Sequence, residues 1–207
     1  MEEILKYFPL LSQVQIERFS ALRGLYDDWN SKINVISRKD MDNFYVHHVL
    51  HSLALVHPLA SMLKGGERIL DLGTGGGFPG IPLAIYFEDC NFVLCDSVGK
   101  KIKVANAVAQ ALGLKNVTTV NDRAENLPGT FDYVVSRAVT SLDGFLPWIK
   151  GKYKKGVLYL KGGDIDEEIA NCLSRHFFEK KKLTIIDTSC FFKDEWFEQK
   201  KIVIIGR

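Results

Sequence analysis

The sequence has few cysteines, almost no net charge and no long apolar run, and each of these absences excludes a class of protein. None of its four cysteines forms a CxxC pair, which excludes a zinc ribbon and a dithiol redox motif. The formal net charge is +2, so any attraction to nucleic acid must come from a local cluster of cations. No apolar run approaches the roughly 18 residues of a membrane span.

The remaining composition is that of a folded domain. Hydrophobic residues make up 46% and charged residues 25% of the 207 positions, enough to bury a core. The first residues carry two acids and no basic stretch, unlike a signal peptide. We therefore expect a cytoplasmic protein that does not need a membrane, and we expect a monomer.

A helical pattern occupies the first 66 residues. Ser12 and Gln15 have the spacing of a helix capping box, and apolar residues recur behind them at helical intervals. A second helix is predicted over residues 42–57, with Pro58 ending it. We interpret residues 1–66 as a helical extension packed on a core domain formed by residues 67–207.

After Gly66 the pattern changes to short β-type runs that alternate with helical stretches. The seven predicted strands are 68–71, 91–95, 116–120, 132–135, 157–160, 183–186 and 202–205. The alternation of strands and helices predicts that neighbouring strands pair in parallel, with right-handed crossover connections. The gap before the last run is too short for a crossover helix, so the last two strands are predicted to pair antiparallel. The predicted fold is α/β, with a seven-stranded, mostly parallel sheet.

The strongest functional signal is the glycine-rich turn DLGTGGGFPG, which runs from Asp71 to Gly80 after the first strand. In an open parallel sheet this turn lies at the carboxyl edge, where ligands bind. Its GxGxxG match also occurs in dinucleotide-binding proteins, so an NAD-dependent enzyme is the main alternative. The carboxylate of Asp71 would repel a pyrophosphate and instead favours a cationic ligand such as S-adenosylmethionine (AdoMet).

A second acid, Asp96, directly follows the second strand. A carboxylate there can accept hydrogen bonds from ribose hydroxyls, although a helix-capping role explains it equally well. The loop over residues 122–125, after the third strand, can hold an adenine edge.

Several segments resemble one protein family. The glycine-rich turn with FPGIP after its glycines resembles that of the RsmG (GidB) family of 16S rRNA guanine-N7 methyltransferases. The segments WNSKINVIS at 29–37, HVLHSL at 48–53, RAE at 123–125 and FDYVVSRA at 131–138 are similar to other motifs of that family. His51 stands where the family commonly has Asp.

The resemblance implies a Rossmann-like class I methyltransferase that moves a methyl group from AdoMet to N7 of one loop guanine, with 16S rRNA or the small ribosomal subunit as partner. The alternatives are an AdoMet-dependent methyltransferase for another RNA, a protein or a small molecule, and an RNA-binding module without activity. The AdoMet contacts implied by the family and by the general methyltransferase turn are Asp71, Gly73, Gly75, Gly77, Phe78, Asp96, Ala124, Glu125 and Arg137.

Guanine N7 has an in-plane lone pair and no proton at neutral pH, so its methylation needs no general base. Alignment and exclusion of water would supply catalysis. The single candidate for a catalytic role is Arg137, which would bond the AdoMet carboxylate, a neighbouring acid or rRNA. A surface salt bridge is its alternative role.

Six side chains are candidates for contacting the substrate. Asn34 and His48 are candidates for the guanine side, with backbone capping and a buried histidine as alternatives. Lys100, Lys101 and Arg123 are cationic candidates that could instead belong to a solvated face, and Lys161, at the end of the fifth predicted strand in a position similar to that of Arg137, is a weaker candidate. His47 and His51 have zinc-ligand spacing on a helix, but no third ligand is evident, so no metal site is predicted.

Overall fold

The computed structural model describes residues 1–175 and 179–206, with Lys181 described by its backbone alone. The strands are β1 (Arg68–Leu72), β2 (Asn91–Asp96), β3 (Val117–Asn121), β4 (Phe131–Arg137), β5 (Tyr153–Gly162), β6 (Leu183–Asp187) and β7 (Lys200–Gly206). The α-helices are α1 (Glu2–Tyr7), α2 (Gln13–Lys32), α3 (His51–Leu53), α4 (Val56–Met62), α5 (Gly80–Tyr86), α6 (Gly99–Ala111), α7 (Leu142–Phe145) and α8 (Asp166–Ser174).

The seven strands form one sheet in the order β3-β2-β1-β4-β5-β7-β6. The pairs among β1 to β5 are parallel, whereas β7 runs antiparallel to both β5 and β6. Each predicted strand coincides with an observed one, so the mostly parallel sheet with an antiparallel end is confirmed. The carboxyl ends of β1, β2, β3 and β4 consequently meet at one edge.

Two apolar cores lie on opposite faces of the sheet, because side chains alternate along each strand. Ile69 belongs to one core and its neighbour Leu70 to the other. The first core also contains Phe19, Leu22 and Tyr26 from α2, so the N-terminal helices cover that face. This packing agrees with a helical extension on a core domain, while the boundary near residue 66 stays a prediction.

The capping box at the start of α2 is confirmed. Ser12 Oγ accepts a hydrogen bond from the Gln15 backbone at 3.2 Å, and the Gln15 side chain accepts one from the Ser12 backbone at 2.9 Å. Gly113 follows α6 with φ of +63°, the left-handed conformation that glycine permits at a helix end.

The prediction of a single α-helix over residues 42–57 is wrong, because this stretch contains several different helical segments. The chain passes instead through a 3-10 segment (Arg38–Asn43), a π-helix (Phe44–Leu50) and the short α3 before α4 begins. Pro58 does not end a helix: it lies in the first turn of α4, where a missing N–H is tolerated. A π-helix is rare and often marks a functional site.

Within the described residues, no helix combines the length and apolar character that crossing a bilayer requires.

Candidate functional site

The glycine-rich turn that joins β1 to α5 is held together by Asp71. This residue has no exposed surface, and its Oδ2 accepts hydrogen bonds from Thr74 Oγ1 at 2.5 Å and from the Gly80 backbone at 2.7 Å. Its Oδ1 has no hydrogen-bond partner in the described structure. The structure buries Asp71 completely and uses its Oδ2 to fix the backbone of the turn, and a contact between Asp71 and the ligand stays a prediction.

The environment of Asp71 favours its protonated form. Burial raises the pKa of this carboxyl to about 7, although the hydrogen bonds from Thr74 and Gly80 and the charge of Arg137 act in the opposite direction. A cationic ligand arriving near the unpartnered Oδ1 would favour the ionised form, because an opposite charge lowers a carboxyl pKa.

The backbone of the turn depends on glycine at Gly73 and Gly77. Gly73 has φ of +69°, and a Cβ there would lie 2.4 Å from a methyl carbon of Val139. Gly77 has φ of +112°, and a Cβ there would lie 2.4 Å from Ile81 Cδ1. Gly75 also has positive φ, at +57°, but open space around it. The turn therefore approaches the β4–α7 loop more closely than any side chain at Gly73 would permit.

A cavity of about 350 Å³ lies beside this turn at the carboxyl edge of the sheet. It brings together five residues that the sequence predicted to contact a cofactor or substrate: Gly73, Asp96, Arg123, Ala124 and Glu125. The other lining residues are Leu72, Ser97, Asp122, Val139 and Trp148. Trp148 and Val139 were missed, since both lie after β4 in a stretch without a recognisable motif.

Asp96 lines the cavity and also accepts hydrogen bonds from two backbone N–H groups next to it. Its Oδ2 accepts a hydrogen bond from the Gly75 N–H at 2.9 Å, and its Oδ1 accepts one from the Val98 N–H at 2.8 Å, directly before α6. Asp96 therefore fixes the backbone of the residue before α6, although the helix itself has no side-chain cap hydrogen bond, so the capping alternative is not confirmed. A carboxylate oxygen has further lone-pair capacity, so Asp96 can also accept hydrogen bonds from a ligand in the cavity.

The lining fits an adenosine group. Asp96 ends β2 and could accept hydrogen bonds from a ribose, and the apolar side chains of Leu72, Ala124 and Trp148 line the same cavity and could pack against a ring.

Arg137 ends β4 beside the turn but does not line this cavity. Its Nη1 donates to the His47 carbonyl at 3.3 Å and its Nη2 to His48 Nδ1 at 3.2 Å, while the guanidinium lies 5.0 Å from the centre of the Phe78 ring. Burial lowers the pKa of Arg137 to about 10, and the nearby Asp71 opposes that shift. Arg137 therefore remains charged at neutral pH and belongs to the contact between the turn and the N-terminal extension.

Phe78 lies on the same side as Arg137. It is buried, and its ring centre lies 4.9 Å from that of Tyr26, 5.5 Å from that of His48 and 6.0 Å from that of Phe44. Tyr26 also donates a hydrogen bond to the Gly76 carbonyl at 2.7 Å. These contacts couple the shape of the turn to the packing of the extension.

The remaining predicted residues are dispersed. Asn34 is exposed, Lys100 and Lys101 begin α6 close to the cavity, and Arg123 is exposed at the cavity wall. Lys161 is buried, and its Nζ lies 2.9 Å from Glu168 Oε2 and donates to the Thr140 carbonyl at 3.1 Å. These partners leave Lys161 poorly placed to contact a substrate. Over the described part of the chain, no group of three or more His, Cys, Asp or Glu residues could hold a metal ion.

Comparison with known proteins agrees with this geometry. The family model for GidB, rRNA small subunit methyltransferase G, matches residues 15–192. The ribosomal RNA small subunit methyltransferase G of Flavobacterium psychrophilum is 53% identical, over 98% of this chain and 96% of the relative. The protein with the same name from Cytophaga hutchinsonii is 48% identical, over 98% of both chains.

Solved structures resemble the chain in fold. Magnesium protoporphyrin IX methyltransferase from Synechocystis PCC 6803 with bound SAM has a TM-score of 0.62 and 14% identity, covering 95% of this chain and 98% of that one. A putative rRNA-methylase from Clostridium thermocellum has a TM-score of 0.55 and 19% identity, covering 75% of this chain and 95% of that one. Together with the sheet order, these similarities show the fold of class I AdoMet-dependent methyltransferases. The match over most of the chain and the high identity to full-length relatives show that the chain belongs to the GidB family, rRNA small subunit methyltransferase G.

Proposed function

We propose that this protein transfers a methyl group from AdoMet to N7 of a loop guanine in small-subunit rRNA. The observation that carries the proposal is the adenosine-sized cavity, which places Asp96 and the 122–125 loop beside the close backbone of Gly73. Family membership supports the rRNA substrate, since the relatives are named for it.

The residues of the cavity would hold the cofactor. Asp96 would accept hydrogen bonds from the ribose hydroxyls, and Leu72, Ala124 and Trp148 would pack against the adenine. When bound, AdoMet supplies an electrophilic methyl group on a sulfonium. The carboxylate of Asp71, buried under the turn, would offset part of that positive charge.

The chemistry proposed at N7 needs alignment and no proton acceptor. The N7 lone pair forms the new N–C bond as the S–C bond breaks, and the positive charge moves from sulfur to the methylated guanine. No proton leaves N7, so a general base is not required. The cavity lining includes the carboxylates of Asp96, Asp122 and Glu125, but attack by N7 calls on none of them as a proton acceptor. The contribution of the protein would be positioning and exclusion of water.

Cations at the rim would contact the RNA backbone. Lys100 and Lys101 begin α6 a few residues after Ser97, which lines the cavity, and Arg123 lines the same cavity. Phosphate contacts from such side chains position an RNA without reading its sequence. Arg137, whose guanidinium lies 5.0 Å from the centre of the Phe78 ring, would act next to the turn, on the AdoMet carboxylate or on the RNA. We expect a monomer to perform the reaction.

The test incubates the protein and methyl-labelled AdoMet separately with small ribosomal subunits, free small-subunit rRNA, protein extract and metabolites. We expect label in rRNA alone, and strand scission after reduction and aniline treatment at one guanine, which is diagnostic of 7-methylguanine. Label in protein or a metabolite would contradict the proposal, as would a modified base that resists this scission. Calorimetry that detects NAD binding but not AdoMet binding would favour a dinucleotide enzyme instead.

A further inference from the structure

A carboxylate outside the cavity joins two histidines of the N-terminal extension. Asp40 lies in the 3-10 segment, and the histidines lie on the π-helix that follows. Asp40 Oδ1 is 2.5 Å from His47 Nδ1, and Asp40 Oδ2 is 2.7 Å from His48 Nε2. Partial burial raises the pKa of Asp40, but the hydrogen bonds to both histidines outweigh it and lower that pKa, so the carboxylate is ionised.

The hydrogen bond on the other side of His48 determines where its proton lies. A guanidinium only donates, so His48 Nδ1 must accept the bond from Arg137 Nη2 at 3.2 Å. Nε2 then carries the proton and donates a hydrogen bond to Asp40 Oδ2. Burial lowers the pKa of His48 to about 4, followed by the charge of Arg137, so the ring is neutral and keeps this tautomer.

Arg137 depends on this arrangement for its position. In the part of the chain that the structure describes, His48 is the only side chain that forms a hydrogen bond with the Arg137 guanidinium. The other described hydrogen bond of that guanidinium goes to the backbone carbonyl of His47. His47 is itself fixed twice, by Asp40 and by stacking on Trp196 with ring centres 4.2 Å apart. Asp40 is therefore the common partner of both residues that hold Arg137.

We infer that Asp40 is a positioning residue for methyl transfer: through the orientation and tautomer of His48, it holds Arg137 beside the glycine-rich turn. The inference rests on the proposed function. It also means that His48 orients Arg137 instead of contacting the guanine. A charged group misplaced by about 1 Å can cost as much as a hundredfold in rate, which is why such support matters.

The experiment compares Asp40→Ala with Asp42→Ala in the full chain. Asp42 is a matched control, because it lies on the same segment with a side chain that is 94% exposed and 3.7 Å from Arg23. We expect Asp40→Ala to lower kcat at least about tenfold and to raise either the Kd for AdoMet or the KM for RNA, according to which of the two ligands Arg137 contacts. Asp42→Ala should leave all three constants unchanged. Equal kcat in both variants would overturn the inference.

A double-variant cycle separates positioning from general destabilisation. In an Arg137→Lys background, whose ammonium cannot reproduce the guanidinium geometry, Asp40→Ala should cost little further kcat. The same fold-loss in both backgrounds would show that Asp40 acts independently of Arg137 and would overturn the inference. Melting temperatures of all variants identify any loss caused by unfolding.

A spectroscopic measurement on the free protein decides the contact without any assay of methyl transfer. Separate ¹⁵N signals for the two Nη atoms of Arg137 are expected in the wild type and in Asp42→Ala, because a fixed guanidinium rotates slowly. Averaged signals are expected in Asp40→Ala. Separate signals in Asp40→Ala would overturn the inference. If the wild type methylates no rRNA but the signals behave as expected, the proposed function fails while the positioning of Arg137 stands.

Discussion

Asp71 accepts a hydrogen bond from the backbone N–H of Gly80 at 2.7 Å, so a residue within β1 also holds the far end of the glycine-rich turn. A Cβ on Gly80 would lie only 2.6 Å from the same Asp71 oxygen and 2.9 Å from a methyl carbon of Leu94. The glycine at this position is therefore required for the carboxylate to reach the backbone.

The buried carboxyl of Asp71 makes stability depend on pH. Its pKa is about 7 when folded, because burial raises it, and about 3.9 in an unfolded chain. Between these values the folded state binds more protons, so this group's contribution to the free energy of unfolding falls as pH rises from about 4 to 7.

Asp71→Asn should remove this contribution. The free energy of unfolding of Asp71→Asn minus that of the wild type is therefore expected to increase as pH rises through the same window, and to level off above it. Denaturant titrations at a series of pH values measure the difference, with exposed Asp42→Asn as control. Parallel curves for Asp71→Asn and wild type would contradict the raised pKa.

Gly73→Ala is expected to disturb both the fold and the cofactor site. The new methyl group would clash with Val139, and φ of +69° strains any residue with a Cβ. We expect a loss of about 2–4 kcal/mol in the free energy of unfolding, with weaker binding of AdoMet by calorimetry. Gly129→Ala is the matched control, because Gly129 also has positive φ, at +77°, but open space around it. A loss in Gly73→Ala no larger than in the control would argue against the close approach.

The double variant Lys100→Ala, Lys101→Ala should bind rRNA more weakly and with less dependence on salt. Each lost phosphate contact to a single strand lowers the slope of log affinity against log salt by about 0.7, so the pair should lower it by about 1.4. Binding titrations over a range of salt concentrations measure the slope. Lys115 and Lys154 are exposed lysines before β3 and at the start of β5, away from the carboxyl edge, and their double alanine variant is the control. Equal slopes in both double variants would exclude phosphate contacts at Lys100 and Lys101.

Lys161→Met should affect stability and not RNA binding. The substitution removes the ion pair with Glu168 and the hydrogen bond to Thr140, both in a largely buried position. We expect the free energy of unfolding to fall by about 1–3 kcal/mol, while the salt slope of RNA binding stays that of the wild type. Lys154→Met, exposed on the same strand, should change neither quantity. A flatter salt slope in Lys161→Met would restore a substrate role for this lysine.

Local patterns predicted much of the fold. The strands, the capping box at Ser12 and the end of α6 before Gly113 follow from periodicity and from residues adjacent in sequence. The helical interpretation of residues 42–57 failed because long-range packing determines that stretch. There Phe44 is buried against Tyr26 and Phe78, and the backbone adopts 3-10 and π geometry.

The sequence by itself determined the order of strands and helices and the glycine-rich turn, because hydrophobic period and glycine conformation are local properties of the chain. Tertiary structure alone decided which side chains meet: Trp148 enters the cavity, Lys161 pairs with Glu168, and Asp40 reaches Arg137 through His48. Such contacts join residues on different elements of the chain, and their geometry depends on how those elements pack on one another.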